Sequence, residues 1–358
     1  MALSLQTLGL PGRDNAALAR LNTGQSIHRL LFDCGQGCLE SLSIHEIRQI
    51  DHVFFSHFHM DHIAGFDFLF RLNYDRPAPM HIWGPVGTRD LMAHRFQGFT
   101  WNIHSNRPGE WVVHEICSDG VHTDAFVTRE AFRHRHPRPH DPDSTRVLRH
   151  SDYSVTAIAL EHGMPCLGYV VREASRSNID MGRLVVLGLK PGPWMQQLKN
   201  PESGTFASPR LSRSSPLPGR EGAGAGSDSD GSVVSDAGIF YPIAELRKSL
   251  LIKSRGSSVA YLTDFRMADQ DRETTAAGIA GCDVLVCESQ YRTQDSTLAR
   301  KNFHMTAAET AELARLAGVG KLILIHVSDR YDAEGRAALL AEARSVFART
   351  EYPEGWGE

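Results

Sequence analysis

The feature of the sequence that most constrains its fold is a run of histidines and one aspartate directly after a short apolar segment. Residues 53–56 are typical of a buried strand, and the apolar stretch at 63–72 is typical of a helix. Between them the chain reads His-x-His-x-Asp-His, with the side chains of His57, His59, Asp61 and His62. The fold must therefore bring a strand, a short loop and a helix together around these four polar groups.

These side chains have the chemistry of a catalytic zinc site, for which imidazole nitrogens and carboxylate oxygens are the usual ligands. His57 and His59 are two residues apart, so on an extended chain they point to the same side. Asp61 and His62 lie in the following turn and can face a second ion, at the separation of about 3.5–4 Å found in two-metal sites. A chance run, the alternative in a chain with 18 histidines, does not explain the strand before it and the helix after it.

The rest of the chain alternates predicted strands and helices, which indicates an α/β fold. Apolar runs predict strands at 4–8, 28–32, 80–83, 155–160, 258–263, 283–287 and 321–325, and helical spacing predicts helices at 306–316 and 333–347. Apolar residues make up 41% of the chain, enough for one large domain spanning 1–358. Residues 203–237 are dominated by Ser, Gly, Pro and Asp, and predict a flexible insert because they bury too little surface to offset the entropy of ordering.

The formal net charge of −4 argues against a protein that coats nucleic acid, so any RNA contact must come from local patches such as the arginine-rich residues 129–149. Six scattered cysteines favour free thiols in a reducing cytoplasm over a disulfide framework. No signal peptide is recognised, and no uncharged apolar run reaches the ~20 residues of a membrane helix. We therefore expect a cytoplasmic protein without membrane association.

The His-x-His-x-Asp-His run after a strand resembles the signature of the metallo-β-lactamase superfamily, which implies an αββα sandwich with further ligands at later strand ends. Such side chains do follow three predicted strands, at His162, Asp264 and His326. The resemblance implies two Zn²⁺ ions per subunit, with Mn²⁺ as an alternative. By the same resemblance the ligands are His57, His59 and His162 for one ion, Asp61, His62 and His326 for the other, and Asp264 as a bridge.

Further segments resemble the ribonuclease Z family, namely LFDCGQG at 31–37, IWGPVG at 82–87, FHMTAAE at 303–309 and HVSDRY at 326–331. GLKPGPWMQQLK at 188–199 resembles part of the arm with which that family grips tRNA, so an arm-like insertion is expected at 171–200. The resemblance implies endonucleolytic processing of the 3′ end of precursor tRNA by a homodimer. Met60, Phe265 and the Leu8–Pro11 start depart from the family pattern.

The resemblance also assigns roles around the metal ions. Asp61 orients or deprotonates the attacking water, and His304 protonates the departing 3′ oxygen. Arg330 either clamps a phosphate or forms an ordinary salt bridge. Substrate contacts are expected at Arg330, Ser328, Thr306 and Trp194.

Two other interpretations stay open at this point. The first is a hydrolase of the same fold that acts on small phosphodiesters or other esters, because a fold does not fix a reaction. The second is a non-catalytic RNA-binding protein that only holds zinc, against which the complete ligand set and His304 argue.

Overall fold

The computed structural model describes residues 2–143, 145–199 and 232–356. The chain forms two compact units, Met1–Ala174 with Ser257–Glu358, and Ser175–Gly256. The sequence predicts one domain with an arm at 171–200, whereas the second unit begins near that point and continues to Gly256. Of the predicted insert at 203–237, residues 203–231 lie outside the described residues.

The first sheet of the first unit has eight strands in chain order. Its central strands β3 to β6 run parallel, and the flanking strands pair antiparallel. The strands are β1 (Ala2–Gly9), β2 (Asn15–Asn22), β3 (Ile27–Phe32), β4 (His52–Phe54), β5 (Met80–Gly84), β6 (Glu110–Cys117), β7 (Gly120–Val127) and β8 (His136–Pro137).

The second sheet has the order β19-β18-β17-β16-β11-β10-β9. Strands β16 to β19 run parallel, and β9, β10, β11 and β16 pair antiparallel. The strands are β9 (Leu148–Arg149), β10 (Tyr153–Glu161), β11 (Pro165–Glu173), β16 (Ser258–Leu262), β17 (Val284–Glu288), β18 (Lys321–Ile325) and β19 (Thr350–Glu351).

Helices of the first unit pack on the outer faces of the two sheets. Four belong to the first half of the chain: α1 (Ile44–Ile47), α2 (Met60–Ile63), α3 (Phe66–Asn73) and α4 (Thr88–Gln97). Four belong to the second: α8 (Arg272–Gly278), α9 (Ser296–Lys301), α10 (Ala307–Ala317) and α11 (Ala333–Val346). Single 3₁₀ turns lie at Thr128–Glu130 and Thr293–Asp295. Among the described residues, no helix combines the length and apolar character needed to cross a membrane.

The alternation of side chains along the strands produces the predicted αββα layering. Phe32 of β3 faces the other sheet, where its ring centroid lies 5.6 Å from that of Tyr261. The neighbouring Leu31 belongs instead to a second core that includes Phe66 of α3 and Trp111 of β6. Both faces of the sheets are thus buried, and the strand ends remain as the place where polar groups can collect.

The predicted helix at 63–72 is interrupted, and the structure has two helices, α2 and α3, separated by Ala64 and Gly65. The amide of Gly65 donates to the carbonyl of Cys34 at 2.8 Å. A Cβ at Gly65 would lie 2.2 Å from the carbonyl oxygen of Gly35. The break therefore lets the loop after β3 pack directly against the histidine-containing loop.

The second unit has its own small core. It contains α5 (Met181–Val186), α6 (Trp194–Lys199), α7 (Ile243–Leu250) and two antiparallel pairs: β12 (Arg176–Ile179) with β15 (Leu251–Ser254), and β13 (Ser232–Val234) with β14 (Phe240–Pro242). Leu184, Leu198 and Leu246 are buried at its centre. Ser232–Val234 is paired although it falls inside the predicted flexible insert.

A row of three histidines crosses adjacent strands of the first sheet. The indole N–H of Trp83 donates to His52 Nδ1 at 3.1 Å, and His81 Nδ1 lies 3.0 Å from His114 Nε2. The other ring nitrogen of His114 is 2.9 Å from Thr123 Oγ1. Burial lowers the pKa of His52, His81 and His114, so all three imidazoles are neutral in the folded protein.

This row predicts that the protein loses stability as the pH falls. Below the unfolded-state pKa of about 6.5 the unfolded chain takes up protons that the folded chain does not. The free energy of unfolding then falls by up to ~1.4 kcal/mol per pH unit for each histidine. We expect the free energy of unfolding, measured with urea, to differ less between pH 7.5 and pH 5.5 in His114→Gln than in the wild type. The exposed His45→Gln is the control. If the free energy of unfolding depended equally on pH in the wild type, His114→Gln and His45→Gln, the prediction would be wrong.

Candidate metal centre

The residues of the predicted metal site come from the ends of strands in both sheets. His57 and His59 lie in the loop between β4 and α2, and the first turn of α2 carries Asp61 and His62. His162 follows β10, His326 follows β18, and Asp264 is two residues beyond β16. The structure brings all seven side chains together along one edge of the first unit.

The first group consists of His57, His59, His162 and Asp264, whose potential ligand atoms lie within 4.8 Å of one another. Nε2 of His57 is 3.7 Å from Asp264 Oδ2, and Nε2 of His162 is 3.8 Å from the same oxygen. His162 Nε2 also lies 3.3 Å from His59 Nδ1. Three imidazoles thus converge on one side of a buried carboxylate.

The second group consists of Asp61, His62, His326 and the same Asp264. His62 Nε2 is 3.3 Å from Oδ2 of both Asp61 and Asp264. His326 approaches the two carboxylates with different ring nitrogens, Nε2 at 3.2 Å from Asp61 and Nδ1 at 3.4 Å from Asp264. Asp264 belongs to both groups, which is the arrangement expected of a bridging ligand.

The donor atoms fit metal ions. His57 Nε2, His62 Nε2 and His326 Nδ1 are buried, and none has a hydrogen-bond partner among the described residues. A buried polar atom without a partner costs about 1–3 kcal/mol. A cation held between these nitrogens and the carboxylates would remove that cost, and the nitrogen and oxygen donors are those that zinc accepts.

Asp33, which follows β3, orients His62 through Nδ1, the ring nitrogen that does not face Asp61 and Asp264. This fully buried carboxylate accepts hydrogen bonds from the amide of Ser56 at 2.8 Å and the hydroxyl of Tyr261 at 2.9 Å. Its Oδ2 also lies 2.9 Å from His62 Nδ1. Holding Nδ1–H directs Nε2 of His62 at the two aspartates, which is how carboxylates fix metal-binding histidines. From the sequence, Asp33 was recognised only as part of the LFDCGQG segment at 31–37, and no role was predicted for it.

Four residues of the site have left-handed backbones, with φ between 51° and 60°: Asp33, Asp264, Phe303 and His326. Such conformations cost about 1–3 kcal/mol each in residues other than glycine and persist where surrounding contacts enforce them. The amide of His326 donates to Asn15 Oδ1 at 2.7 Å. The carbonyl of Phe303 accepts from His162 Nδ1 at 3.0 Å. The strained backbone conformations therefore occur where hydrogen bonds orient the predicted ligands.

His304 lies beside the second group, with its ring stacked on that of His326 at a centroid distance of 5.5 Å. Its Nδ1 is 3.1 Å from Oε2 of Glu288, which is fully buried at the end of β17 and also accepts the amides of Met305 and Phe265. Burial lowers the pKa of His304, but Glu288 more than offsets it and raises the pKa to about 9. Glu288 was not predicted as a site residue, although it directly follows the strand predicted at 283–287, as other site residues follow theirs.

An open cleft of about 530 Å³ gives access to the site. Its walls include members of both groups and His304, together with Gly163, Met164, Gln290 and Asn302. The side chain of Asp61 is 42% exposed, whereas that of Asp264 is 3% exposed. Asp61 is therefore the site carboxylate that faces solvent.

The four residues predicted to contact substrate lie in different surroundings. Thr306 is the N-cap of α10, and its hydroxyl is engaged with Glu309 in a capping box. Arg330 lies over the ring of Tyr291 at 5.2 Å and 3.9 Å from Asp295, and the Ser328 hydroxyl accepts from the Arg330 amide. Trp194 is in the second unit and donates to the carbonyl of Lys190.

Three of the six arginines in the stretch at 129–149 form ion pairs with acids. Arg135 pairs with Asp90, Arg138 with Glu110, and Arg149 with both Asp141 and Asp143. Paired guanidinium groups contribute little net charge to a surface. This stretch is therefore a weaker candidate for phosphate contacts than its composition indicates.

Comparisons with known proteins match this chain to a family and to curated relatives. Residues 28–179 and 235–327 match the family described as "Beta-lactamase superfamily domain". Ribonuclease Z of Deinococcus radiodurans is 38% identical over 355 residues, which cover 99% of this chain and 98% of that protein.

Two solved structures share the fold. The metallo-β-lactamase fold protein YhfI from Bacillus subtilis has a TM-score of 0.53 at 15% identity, covering 97% of this chain and 94% of its own. The short form of human tRNase Z has a TM-score of 0.51 at 15% identity, covering 98% of this chain and 96% of its own. At these identities the likeness concerns the fold alone.

The position of Asp33 predicts that Asp33→Asn weakens metal binding. An amide cannot hold the Nδ1–H of His62 as a carboxylate does, and such losses typically cost ~10–100-fold in metal affinity. Competition with a chromogenic zinc chelator measures the affinity. Tyr261→Phe, which removes another hydrogen bond to the same carboxylate, is the matched control and should change the affinity less. Wild-type affinity in a folded Asp33→Asn protein would show that Asp33 does not orient a ligand.

Proposed function

The chain belongs to the ribonuclease Z family of the metallo-β-lactamase superfamily, and on that premise we propose that it is a metal-dependent endoribonuclease that removes the 3′ extension of precursor tRNA. The observation that carries the proposal is the 38% identity with a protein named ribonuclease Z along essentially the whole of both chains. The convergence of two complete donor groups on Asp264 supports a hydrolytic role over a purely structural one.

We assign the two donor groups to two metal ions per subunit. His57, His59 and His162 would hold one ion, Asp61, His62 and His326 the other, and Asp264 both. The ions are zinc, with manganese as the alternative. When bound, such ions act as Lewis acids toward a phosphoryl oxygen and lower the pKa of water.

We assign to Asp61 the role of orienting or deprotonating the attacking water. It is the exposed carboxylate of the centre and opens onto the cleft, whereas Asp264 is enclosed. A carboxylate oxygen there accepts a hydrogen bond from water and orients its lone pair toward phosphorus.

His304 has the position of the general acid. Its Nδ1 faces Glu288, so its Nε2 is left for a group in the cleft. The negative Glu288 carboxylate favours the protonated imidazole. Proton donation from Nε2 to the departing 3′ oxygen matters because an unprotonated alkoxide is a poor leaving group. Glu288 acts through His304 and is a positioning residue.

Other parts of the proposal rest on the family resemblance. We propose a homodimer that acts in the cytoplasm, and an arm-like insertion around residues 171–200 that grips tRNA. Trp194 and the basic side chains of this segment are the candidates for that contact. In the first unit, Arg330 and Ser328 are the candidates for contact with the phosphate backbone of the RNA. Thr306 is a further candidate, although its hydroxyl caps helix α10.

The position of His304 predicts that His304→Ala lowers kcat for RNA cleavage by about 10²–10⁴-fold, the range typical of general acid–base catalysis. The zinc content of the variant should equal that of the wild type, because His304 is not an assigned ligand. Single-turnover cleavage and metal analysis measure the two quantities. The exposed loop residue His134, changed to Ala, is the control. A fall in kcat that tracks lost zinc would contradict the general-acid role.

The proposed substrate is tested with a 3′-extended precursor tRNA, purified protein and added zinc or manganese, with the products read on a sequencing gel. We expect one endonucleolytic cut next to the acceptor stem, abolished by a chelator and restored by metal. The small diester bis(p-nitrophenyl) phosphate is run in parallel. Turnover of this diester without any cut in the RNA would overturn the tRNA assignment and leave a hydrolase of smaller esters.

A further inference from the structure

A second cluster of metal-binding side chains lies at the turn between β6 and β7, and shares no residue with the candidate metal centre. It consists of Cys117, Asp119 and His122, whose sulfur, oxygen and nitrogen atoms lie within 4.8 Å of one another. Nε2 of His122 is 3.1 Å from Oδ1 and 3.2 Å from Oδ2 of Asp119. Neither the family resemblance nor the proposed reaction uses these residues.

The hairpin register explains why these side chains meet. Cys117 is paired with Gly120, and His122 with Glu115. Residues directly opposite each other in an antiparallel pair share a face, and so do residues two apart on one strand. Cys117, Glu115 and His122 therefore project from the same face. Asp119, in the turn, closes the end of the cluster.

His140, on the chain segment beside the hairpin, lies next to this cluster but outside the three residues whose donor atoms are within 4.8 Å of one another. The amide of Val121 donates to the carbonyl of Asp141 at 2.7 Å, and the amide of Asp141 donates back at 3.1 Å. The ring centroid of His140 is 4.6 Å from that of His122. A Cβ at Gly120 would lie 2.5 Å from His140 Nε2, so the missing side chain there lets this nitrogen lie against the turn.

We propose that Cys117, Asp119, His122 and His140 bind a zinc ion that fastens the β6–β7 hairpin to the segment around Asp141. Thiolate, imidazole and carboxylate are the three ligand types that zinc accepts, and one thiolate, two imidazoles and one carboxylate would supply the four ligands of a closed, tetrahedral site. The thiolate is the feature that separates this site chemically from the candidate metal centre, whose donors are nitrogen and oxygen only.

Cys117 is well suited to report on this site. Of the six cysteines, all of which lie within the described residues, Cys117 is the only one that is not buried. Burial and the nearby Glu115 carboxylate raise the pKa of its thiol, so without a cation the sulfur is protonated. Zinc binding releases that proton and occupies the sulfur, which changes both its reactivity and its absorption when cobalt replaces zinc.

The first part of the test is a thiol reaction on the native full chain. Metal-free protein is treated with a disulfide reagent that reports each modified thiol, with and without zinc. We expect one rapidly reacting thiol, absent from Cys117→Ser, and a rate about tenfold lower when free zinc is tenfold above its Kd. His122→Ala should keep the reactive thiol and lose the protection, whereas His134→Ala should behave as wild type.

The second part counts ions and identifies the ligand. Wild-type protein should bind one more equivalent of zinc than Cys117→Ser or His122→Ala, and its cobalt form should show a thiolate-to-cobalt charge-transfer band that both variants lack. RNA cleavage should be unchanged in the variants, so this result is separate from that of the proposed function. Equal zinc contents, no charge-transfer band and no protection of the thiol would overturn the proposal.

Discussion

The buried carboxylate of Asp264 is the group on which the rest of the site depends. It receives imidazoles from both sheets, including His57 and His62 from one and His326 from the other. Burial by itself would raise its pKa, but the neighbouring His326 and His62 hold the pKa well below its usual range. An isolated carboxylate buried in this way is strongly unfavourable. Asp264 is stable only because positive or polarised groups surround it, and the cations that we propose at this site would complete that arrangement.

The sandwich supplies this arrangement through parallel strands whose carboxyl ends lie along one edge. Side chains of β3 alternate between the two apolar cores, and most of the predicted ligands lie just beyond the ends of strands. A second set of residues then holds the predicted ligands and His304 in place. Asp33 holds His62, Glu288 holds His304, and Asn15 holds the backbone of His326. The strained backbones at the same positions are consistent with a site whose geometry is enforced by the surrounding fold.

Much of this could be predicted from local patterns. The strand predicted at 321–325 coincides with Lys321–Ile325. The alternation of strands and helices indicated the α/β class, and the resemblance to the metallo-β-lactamase superfamily implied the αββα sandwich. The positioning residues could not be predicted, because their contacts join distant parts of the chain: Asn15 meets His326 across 311 residues. Strands β6 and β7 were missed because polar residues such as Glu110, His114 and Asp124 interrupt their apolar pattern. Thr306, predicted to contact substrate, also caps helix α10, and the residue type alone does not distinguish these two roles.

We propose that Asp264 and the six predicted ligands around it hold two metal ions. Anomalous diffraction from crystals of the zinc-loaded protein, collected on both sides of the zinc absorption edge, tests it most directly. We expect one peak among His57, His59 and His162, and another among Asp61, His62 and His326, both in contact with Asp264. A fully loaded crystal with no peak at Asp264, or with zinc bound only elsewhere on the chain, would contradict it.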